Sequence, residues 1–351
     1  MRVHVVVPQG FDDPGRPSGG NGYDRRVCAG LAESGWEVRT HTVAGAWPAY
    51  DRAAGAGLAR VLTAVPDGAT VLVDGLVASP AETPLLSHAR RLRLVVLLHM
   101  PLATAADDRH DAAALRSERA VLGAAAGVVV TSGWARGEVL TRFAIPAERV
   151  HVARPGVDRA EAASGTSDGG ELLCVGALAR HKGQDLLVDA LAGLAERDWR
   201  CLLVGPPHRD PVFAERLRAR IACLGLEGRV RLAGTLTGAA LDRAYAGADL
   251  LVVPSRSETY GMVVTEALAH GLPVLASAVG GLPEALGFAG GTRPGLLVAP
   301  DDPAAVRVAL AAWLGDERHR RRLRAAALRR RSGLDGWDRT ARDVAAALTA
   351  P

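Results

Sequence analysis

Two glutamates, Glu258 and Glu266, flank a segment that reads as a polar loop leading into a helix. The helix is apolar on nearly every side and contains no lysine or arginine, so it is expected to be buried, and a buried carboxylate needs a partner or a ligand. The helix begins near Gly261, where the backbone N–H groups of Gly261, Met262 and Val263 can bind phosphate oxygens. The segment therefore combines an anion site with two acids.

This combination suits a nucleoside diphosphate. Glu266 lies about 6–8 Å from the helix N-terminus, from the rise per residue. A helix N-terminus on the pyrophosphate and a carboxylate on the ribose diol is the division of labour of dinucleotide-binding folds. The alternative is structural: Glu258 caps the helix and Glu266 pairs with a nearby arginine.

Lys182 is the only lysine of the chain, because the 42 basic side chains are otherwise 41 arginines. It follows Gly176 in a turn between a predicted strand and a predicted helix. A lysine is a compact point charge on a thin stem, which suits a phosphate in a tight pocket. The alternative is an ordinary surface lysine.

The first half of the chain offers weaker candidates. Gly19 and Gly20 lie in a glycine-rich loop after the first predicted strand, where backbone N–H groups could approach a phosphate, although a loop without a ligand has the same composition. His99 ends a predicted strand, where ligands bind in parallel sheets, but a single histidine is more often structural. Asp74 ends an earlier strand and is expected to cap the following turn or helix.

The composition narrows the class of protein. The chain has 351 residues, 48% of them hydrophobic and 4% aromatic, which favours two domains and argues against a base-stacking nucleic-acid platform. The four cysteines form no CxxC pair and are expected to be reduced in a cytosolic protein. We expect no signal peptide and no membrane-spanning segment.

A net charge of +4 is concentrated near the C-terminus. The arginines of this segment are Arg318, Arg320, Arg321, Arg322, Arg324, Arg329, Arg330 and Arg331. They predict a solvated helix face or, alternatively, a patch for an anionic membrane or an acidic acceptor.

Short apolar runs alternate with helical patterns, which is typical of parallel sheets flanked by helices. Strands are predicted at 2–8, 37–43, 70–74, 93–98, 127–131, 150–153, 171–176, 200–205, 229–233, 249–253 and 273–276. Helices are predicted at 23–34, 80–91, 112–124, 133–142, 302–314, 317–331 and 336–349, with others between the strands of the second half. We expect an α/β fold with a Rossmann-like domain at 1–158, a linker at 159–170, a second Rossmann-like domain at 171–335, and a C-terminal helix at 336–351 that packs back towards the first domain.

These motifs together resemble family 4 of the retaining glycosyltransferases over nearly the whole chain. The motifs are the Glu258 and Glu266 pair, the turn from Gly176 to Lys182 and Gly183, the Gly19 and Gly20 pair, His99, and the segment from Arg154 to Asp158. The resemblance implies the GT-B fold, in which two doubly wound parallel-sheet domains face each other across a cleft. It implies an acceptor site in the N-terminal half and a nucleotide-sugar site in the C-terminal half.

The resemblance also implies residue roles. Lys182 neutralises the donor diphosphate, Glu258 touches the donor sugar near the reacting carbon, and His99 contacts the sugar or its glycosidic oxygen. The predicted donor-binding residues are Gly19, Gly20, Arg180, Arg256, Tyr260, Gly261, Met262, Val263 and Glu266. One position departs from the family: Ala177 stands where an arginine usually follows the glycine. Arg154, Arg180 or Arg256 could replace it, and Arg180 is favoured because it shares a turn with Lys182.

The predicted function is therefore metal-independent, retaining transfer from a nucleotide sugar, with UDP- and GDP-sugars expected first and no cofactor. The acceptor is a small molecule, lipid or glycan, and nucleic acid is not expected. The protein is expected in the cytoplasm, with peripheral contact with the inner face of the membrane left open. The alternatives are a sugar-nucleotide epimerase, a phosphorylase or an inactive scaffold; no G-x-G-x-x-G follows a predicted strand, which argues against a dehydrogenase.

Overall fold

The computed structural model describes residues 1–13, 17–102 and 112–350. Over these ranges the chain forms two compact units, Met1–Gly156 with Asp335–Pro351, and Val157–Leu334. Each unit contains a six-stranded, all-parallel sheet with flanking helices. The predicted pair of doubly wound parallel sheets is confirmed.

The first unit contains the first six strands and seven helices of its described part. The strands are β1 (Arg2–Pro8), β2 (Glu37–Val43), β3 (Thr70–Asp74), β4 (Arg93–Leu98), β5 (Gly127–Val130) and β6 (Val150–Val152), in the order β2-β1-β3-β4-β5-β6. The helices are α1 (Gly19–Glu33), α2 (Arg52–Ala64), α3 (Gly75–Ala78), α4 (Glu82–Leu86), α5 (Ala112–Ala124), α6 (Gly133–Phe143) and, from the end of the chain, α14 (Trp337–Thr349).

Both faces of the first sheet are buried, which explains its near-continuous apolar strands. Val3, Val5 and Val7 of β1 point into one core, and Val6 points into the other with Leu58. Alternation along a strand therefore feeds two cores, each closed by helices.

Helix α14 packs on α1 within the first unit. A Cβ on Gly30 of α1 would lie 2.7 Å from the Cβ of Ala341, so a glycine is needed at this close approach. The ring of Trp337 meets that of Tyr23 edge-on at 5.8 Å. The end of the chain thereby closes one of the two cores of the first unit.

The second unit repeats the architecture. Its strands are β7 (Glu171–Val175), β8 (Arg200–Val204), β9 (Val230–Gly234), β10 (Leu250–Val253), β11 (Val274–Ser277) and β12 (Gly295–Val298), in the order β12-β11-β10-β7-β8-β9. Its helices are α7 (Gln184–Ala192), α8 (Pro211–Cys223), α9 (Gly238–Ala246), α10 (Met262–Ala269), α11 (Leu282–Leu286), α12 (Pro303–Gly315) and α13 (Glu317–Arg331). Single 3-10 turns cover Ala147–Arg149 in the first unit, and Arg180–Lys182 and Pro207–Arg209 in the second.

Helix α2 was not predicted, because Gly55 and Gly57 lower the helix propensity of a segment whose alanines otherwise favour a helix. The helix is stabilised instead by its surroundings. Asp51 caps it by accepting a hydrogen bond from the N–H of Ala54 at 2.7 Å, and Leu58 and Leu62 are fully buried. Tertiary burial therefore outweighs the local preference.

Three other elements differ from prediction. The helix predicted at 80–91 is the shorter α4, which ends at Leu86. Strand β12 was missed because only four residues follow a glycine-rich stretch, yet it pairs in parallel with β11. Helix α1 was predicted from residue 23 but begins at Gly19, with the hydroxyl of Ser18 accepting from the N–H of Asn21 at 3.1 Å. Gly19 and Gly20 therefore lie in the first turn of a helix and not in a loop.

The arginine-rich helix α13 binds the segment before β7. Arg324 donates to the carbonyl groups of Ala163 and Ser164, and Arg331 donates to that of Ala160. Some of the α13 arginines are thus engaged by the segment before β7 within the second unit, so α13 is not a purely solvated face. None of the described helices is long and apolar enough to cross a membrane.

Candidate active site

The loop after β10 turns into α10 through Gly261. This residue has a φ of +94°, and a Cβ there would lie 2.5 Å from Leu282 Cδ2, so only glycine fits without strain. Among the described residues no side chain caps α10, which leaves its first N–H groups to a ligand. Met262 and Val263 of the first turn are partly exposed, whereas Val264 and Leu268 are fully buried.

A second glycine pair supports this loop from behind. A Cβ on Gly280 would lie 1.7 Å from the carbonyl oxygen of Glu258, and one on Gly281 would lie 2.2 Å from that of Thr259. The N–H of Gly281 donates to the carbonyl of Glu258 at 3.0 Å. The Gly280–Gly281 turn therefore holds the backbone that carries Glu258.

Lys182 and Glu258 form an ion pair, with Lys182 Nζ 2.5 Å from Glu258 Oε2. Their side chains are 25% and 15% exposed, so both groups remain within reach of a ligand. Burial and the neighbouring Lys182 charge lower the pKa of His181 to about 4, so this histidine is neutral near pH 7. Lys182 therefore supplies the positive charge at this end of its turn.

The guanidinium group of Arg256 is bound by other groups of the protein. It makes a two-pronged ion pair with Asp185 at 2.7 and 2.8 Å, binds Asp301 at 2.6 Å, and donates to the carbonyl of Arg180 at 2.7 Å. These contacts fasten the loop after β10 to the Lys182 turn. Arg180 itself is exposed on that turn.

Glu266 projects from α10 and accepts a hydrogen bond from the hydroxyl of Tyr245 at 2.7 Å. The Tyr245 ring lies in the core and stacks on His270 at 5.2 Å. Burial raises the pKa of Glu266, and the Tyr245 hydrogen bond partly offsets this. The arginine partner considered from the sequence is wrong for this side chain: the partner is a tyrosine, which leaves the charge of Glu266 unneutralised.

In the first unit, His99 follows the end of β4 and lies between two buried acids. Its Nε2 is 2.8 Å from Asp24 Oδ1 and 3.9 Å from Asp74 Oδ2. A Cβ on Gly20 would lie 3.2 Å from the His99 ring, so two residues singled out from the sequence are neighbours. Asp74 also caps α3, as predicted, by accepting from the N–H of Leu76 at 2.5 Å.

The pKa of His99 reflects opposing effects. Burial lowers it, but the charge and hydrogen bond of Asp24, with help from Asp74, raise it to about 9. Asp24, Asp74 and His99 are also the one group in the described parts of the chain whose atoms are close enough for a metal ion, all within 4.8 Å. The 2.8 Å hydrogen bond already occupies His99 Nε2, so the arrangement is a hydrogen-bonded cluster.

The structure thus places Lys182 beside Glu258, and Glu266 on the helix that begins after Gly261. Tyr260 is a buried part of the same loop. Gly19, Gly20 and His99 belong to the other unit.

Tyr245 and Asp24 were not predicted as site residues from the sequence. Tyr245 contacts Glu266 across 21 positions of the chain and carries no local signal. Asp24 lies four positions after Gly20 on α1, which is one helical turn, but the helix was predicted to begin too late for this to be seen.

Comparisons with known proteins agree on the fold class. Sucrose-phosphate synthase from Thermosynechococcus elongatus superposes with a TM-score of 0.81 at 24% identity, covering 98% of this chain and 97% of that one. Anabaena HepE, solved in complex with UDP and glucose, gives a TM-score of 0.78 at 18% identity and full coverage of both chains. The architecture is that of the GT-B glycosyltransferases.

The sequence comparisons give the family. Residues 159–330 match the family described as Glycosyl transferases group 1, and residues 71–161 match Glycosyltransferase Family 4. D-inositol 3-phosphate glycosyltransferase 1 of Catenulispora acidiphila is 33% identical over 283 residues, which are 76% of this chain and 66% of that protein. The corresponding protein of Kineococcus radiotolerans is 35% identical over 248 residues, 64% and 57% of the two chains.

The chain belongs to the group 1 glycosyltransferases with the GT-B fold. Its matches span less than two thirds of the length of these curated relatives.

Proposed function

We propose that the protein is a metal-independent glycosyltransferase that moves a sugar from a nucleoside-diphosphate sugar to a hydroxyl group, with retention at the anomeric carbon. The observation that carries this proposal is the partly exposed Lys182–Glu258 pair beside the uncapped N-terminus of α10. A cation, free backbone N–H groups and a carboxylate are the groups that a leaving diphosphate and its sugar require.

The donor is held through three contacts. The diphosphate binds the N-terminus of α10 and takes Lys182 from its ion pair with Glu258. Glu258, once released, contacts the sugar near the reacting carbon. Glu266, oriented by Tyr245, binds the ribose hydroxyls.

Transfer then breaks the bond between the anomeric carbon and the diphosphate and forms a bond to the acceptor oxygen. The acceptor proton passes to an oxygen of the leaving diphosphate on the same face of the sugar, which gives retention. The positive charge of Lys182 and the helix N-terminus stabilise the diphosphate, so this scheme needs no metal ion.

The comparisons suggest the first substrates to test. HepE was solved with UDP and with UDP-glucose, which supports a uridine nucleotide as the donor. The relatives from Catenulispora and Kineococcus are named for D-inositol 3-phosphate, which supports a phosphorylated polyol as the acceptor. The family match favours transfer over the epimerase and phosphorylase alternatives.

The test begins with nucleotide binding. Thermal shifts with UDP, GDP, ADP and TDP, each free and as a glucose conjugate, identify the base, because a ligand at 100 times its Kd stabilises the fold by about 2.7 kcal/mol. The preferred donor is then incubated with D-inositol 3-phosphate, and with unphosphorylated inositol as the matched control, with and without EDTA.

The expected result is a nucleoside diphosphate and a glycoside whose anomeric configuration equals that of the donor, with rates unaffected by EDTA. A product of inverted configuration would refute retention, and loss of turnover in EDTA would refute metal independence. Absence of any nucleotide-induced shift would refute the donor site itself.

A further inference from the structure

The strongest group outside the donor site is the polar cluster of Asp24, Asp74 and His99 in the first unit. The side chains of both acids are 1% exposed, and that of His99 is 17% exposed. Buried charges are costly unless they are paired. The cluster must therefore balance its charge internally, and the positions of its atoms indicate how.

One oxygen of each acid has an assigned role. Asp24 Oδ1 accepts from His99, and Asp74 Oδ1 accepts from the N–H of Leu76. The two Oδ2 atoms are buried and have no hydrogen-bond partner among the described residues. A proton on Asp74 could serve both acids through a side-chain hydrogen bond between Asp74 and Asp24. Burial and the nearby Asp24 charge raise the pKa of Asp74 well above its ordinary value, in agreement with Asp74 as the carrier of that proton.

With Asp74 neutral, the remaining charge of the cluster is the Asp24 carboxylate, which an imidazolium at His99 would neutralise. Tyr23 packs against the His99 ring, and Cys28 lies beside Asp24. Burial raises the pKa of Tyr23 well above 10 and that of Cys28 to about 11, so both groups stay neutral.

The ring of His99 is also fixed in space. Tyr23 meets it edge-on at 5.2 Å with the planes 79° apart, and the backbone of Gly20 lies against its edge. With Nε2 committed to Asp24, the Nδ1 atom is the nitrogen left to face a ligand.

We propose that Asp24, supported by Asp74, is a positioning residue that keeps His99 protonated and its ring in one orientation, so that His99 offers a charged N–H donor to a bound substrate. This inference rests on the proposed function for the role of His99 as a substrate contact. It assigns no such contact to Asp24 or Asp74, which act through His99.

The first experiment needs no substrate. The protein is labelled with ¹³C-histidine, the His99 signal is assigned with His99→Gln, and its titration is followed by NMR from pH 5 to 10. In the unmodified protein His99 should titrate near 9. In Asp24→Asn it should move towards the ordinary value of about 6.5. Asp24→Glu should restore much of the shift, and Glu33→Gln, an exposed acid on the same helix, should change nothing.

The second experiment measures kcat/KM against pH. A histidine with a raised pKa stays charged until the pH rises through that pKa, so the unmodified enzyme should keep the His99 contribution up to about pH 9. Asp24→Asn should lose it at lower pH, with about a tenfold deficit at pH 8 that largely recovers at pH 6. In the His99→Gln background, Asp24→Asn should have no further effect on this profile.

A His99 titration at the ordinary value in the unmodified protein would overturn the proposal, whether or not glycosyl transfer is observed. The same holds if Asp24→Asn is folded but leaves the titration and the pH profile unchanged. An effect of Asp24→Asn that persists without His99 would show a structural role instead. A shift of the His99 signal with added Zn²⁺, or its broadening with added Mn²⁺, at micromolar concentration would replace the shared proton with a metal ion.

Discussion

The polar clusters at the strand ends of the two units differ in how far their charged groups are buried within the protein. In the first unit, Asp24 and Asp74 are buried, and Asp24 binds the ring of His99. In the second, Lys182 and Glu258 form an ion pair whose side chains are 25% and 15% exposed. A cluster with buried acids sets the protonation and orientation of one side chain. In a partly exposed ion pair, each side chain can exchange its partner for a substrate. A buried acid is thus compatible with a supporting role, and a partly exposed pair with direct binding.

The largest effect is expected from removing the cation of the Lys182–Glu258 pair. Lys182→Ala should lower kcat/KM for glycosyl transfer by about 10²–10³-fold, because one preorganised donor to the leaving group is lost. The fold should remain stable, because Lys182 is partly exposed. Steady-state kinetics and a thermal melt check both points, with Arg220→Ala as the matched control, since Arg220 forms an exposed ion pair with Asp189.

Lys182→Arg sharpens this prediction. An arginine keeps the charge but spreads it over a planar group, so it should recover only part of the loss if a compact charge is required. Full activity in Lys182→Arg would mean that charge alone suffices, and full activity in Lys182→Ala would contradict the role of Lys182 at the diphosphate.

An intermediate effect on donor binding is expected from removing the buried hydrogen-bond partner of Glu266, the predicted ribose-binding residue. Tyr245→Phe removes a hydrogen bond that lowers the pKa of Glu266. The donor KM should rise about five- to tenfold, from a loss of about 1 kcal/mol. The pKa of Glu266 should rise further, so the defect should grow as the pH falls and Glu266 becomes protonated.

Donor analogues that lack a ribose hydroxyl provide the control for Tyr245→Phe. If Tyr245 acts through the contact between Glu266 and the ribose, the substitution should affect these analogues less than the natural donor. Equal losses for both donors would assign Tyr245 to the core only.

The smallest effect on activity is expected from substituting two arginines around the Lys182 turn. Arg256 is paired within the protein, and Arg180 is exposed. Arg256→Ala should destabilise the protein by about 1–2 kcal/mol, seen as a Tm lower by a few degrees, because Asp185 and Asp301 lose their partner. Arg180→Ala should leave the Tm unchanged and weaken donor binding a few-fold, if Arg180 replaces the arginine absent at Ala177. Unchanged nucleotide affinity in Arg180→Ala would reject that replacement.

The sequence predicted the parts of the site that lie within one segment. Glu258, Gly261 and Glu266 belong to a single loop and helix, whose burial follows from its composition, and Lys182 stood out by being unique. The alternation of strands and helices predicted both sheets. The prediction missed α2, whose two glycines lower its helix propensity, and β12, which has only four residues; both elements depend on packing or pairing with their neighbours.

Pairings between distant segments could not be predicted in the same way. Arg256 was singled out as a donor-binding residue, and the structure shows that its guanidinium is engaged by Asp185 and Asp301. The segment at 159–170 has the composition of a linker, yet arginines of α13 donate to its carbonyl groups. The composition of this segment predicted that it lacks regular structure, but it could not predict that other side chains bind it.

The sequence alone determined the family, the two-sheet architecture, and the types and spacing of the candidate donor-binding groups, because these depend on periodicity and on residues close together in the chain. Only the tertiary structure decided which groups are paired. It placed Tyr245 on Glu266 and enclosed His99 between Asp24 and Asp74, because the protonation and orientation of a side chain depend on neighbours that folding brings together from separate strands and helices.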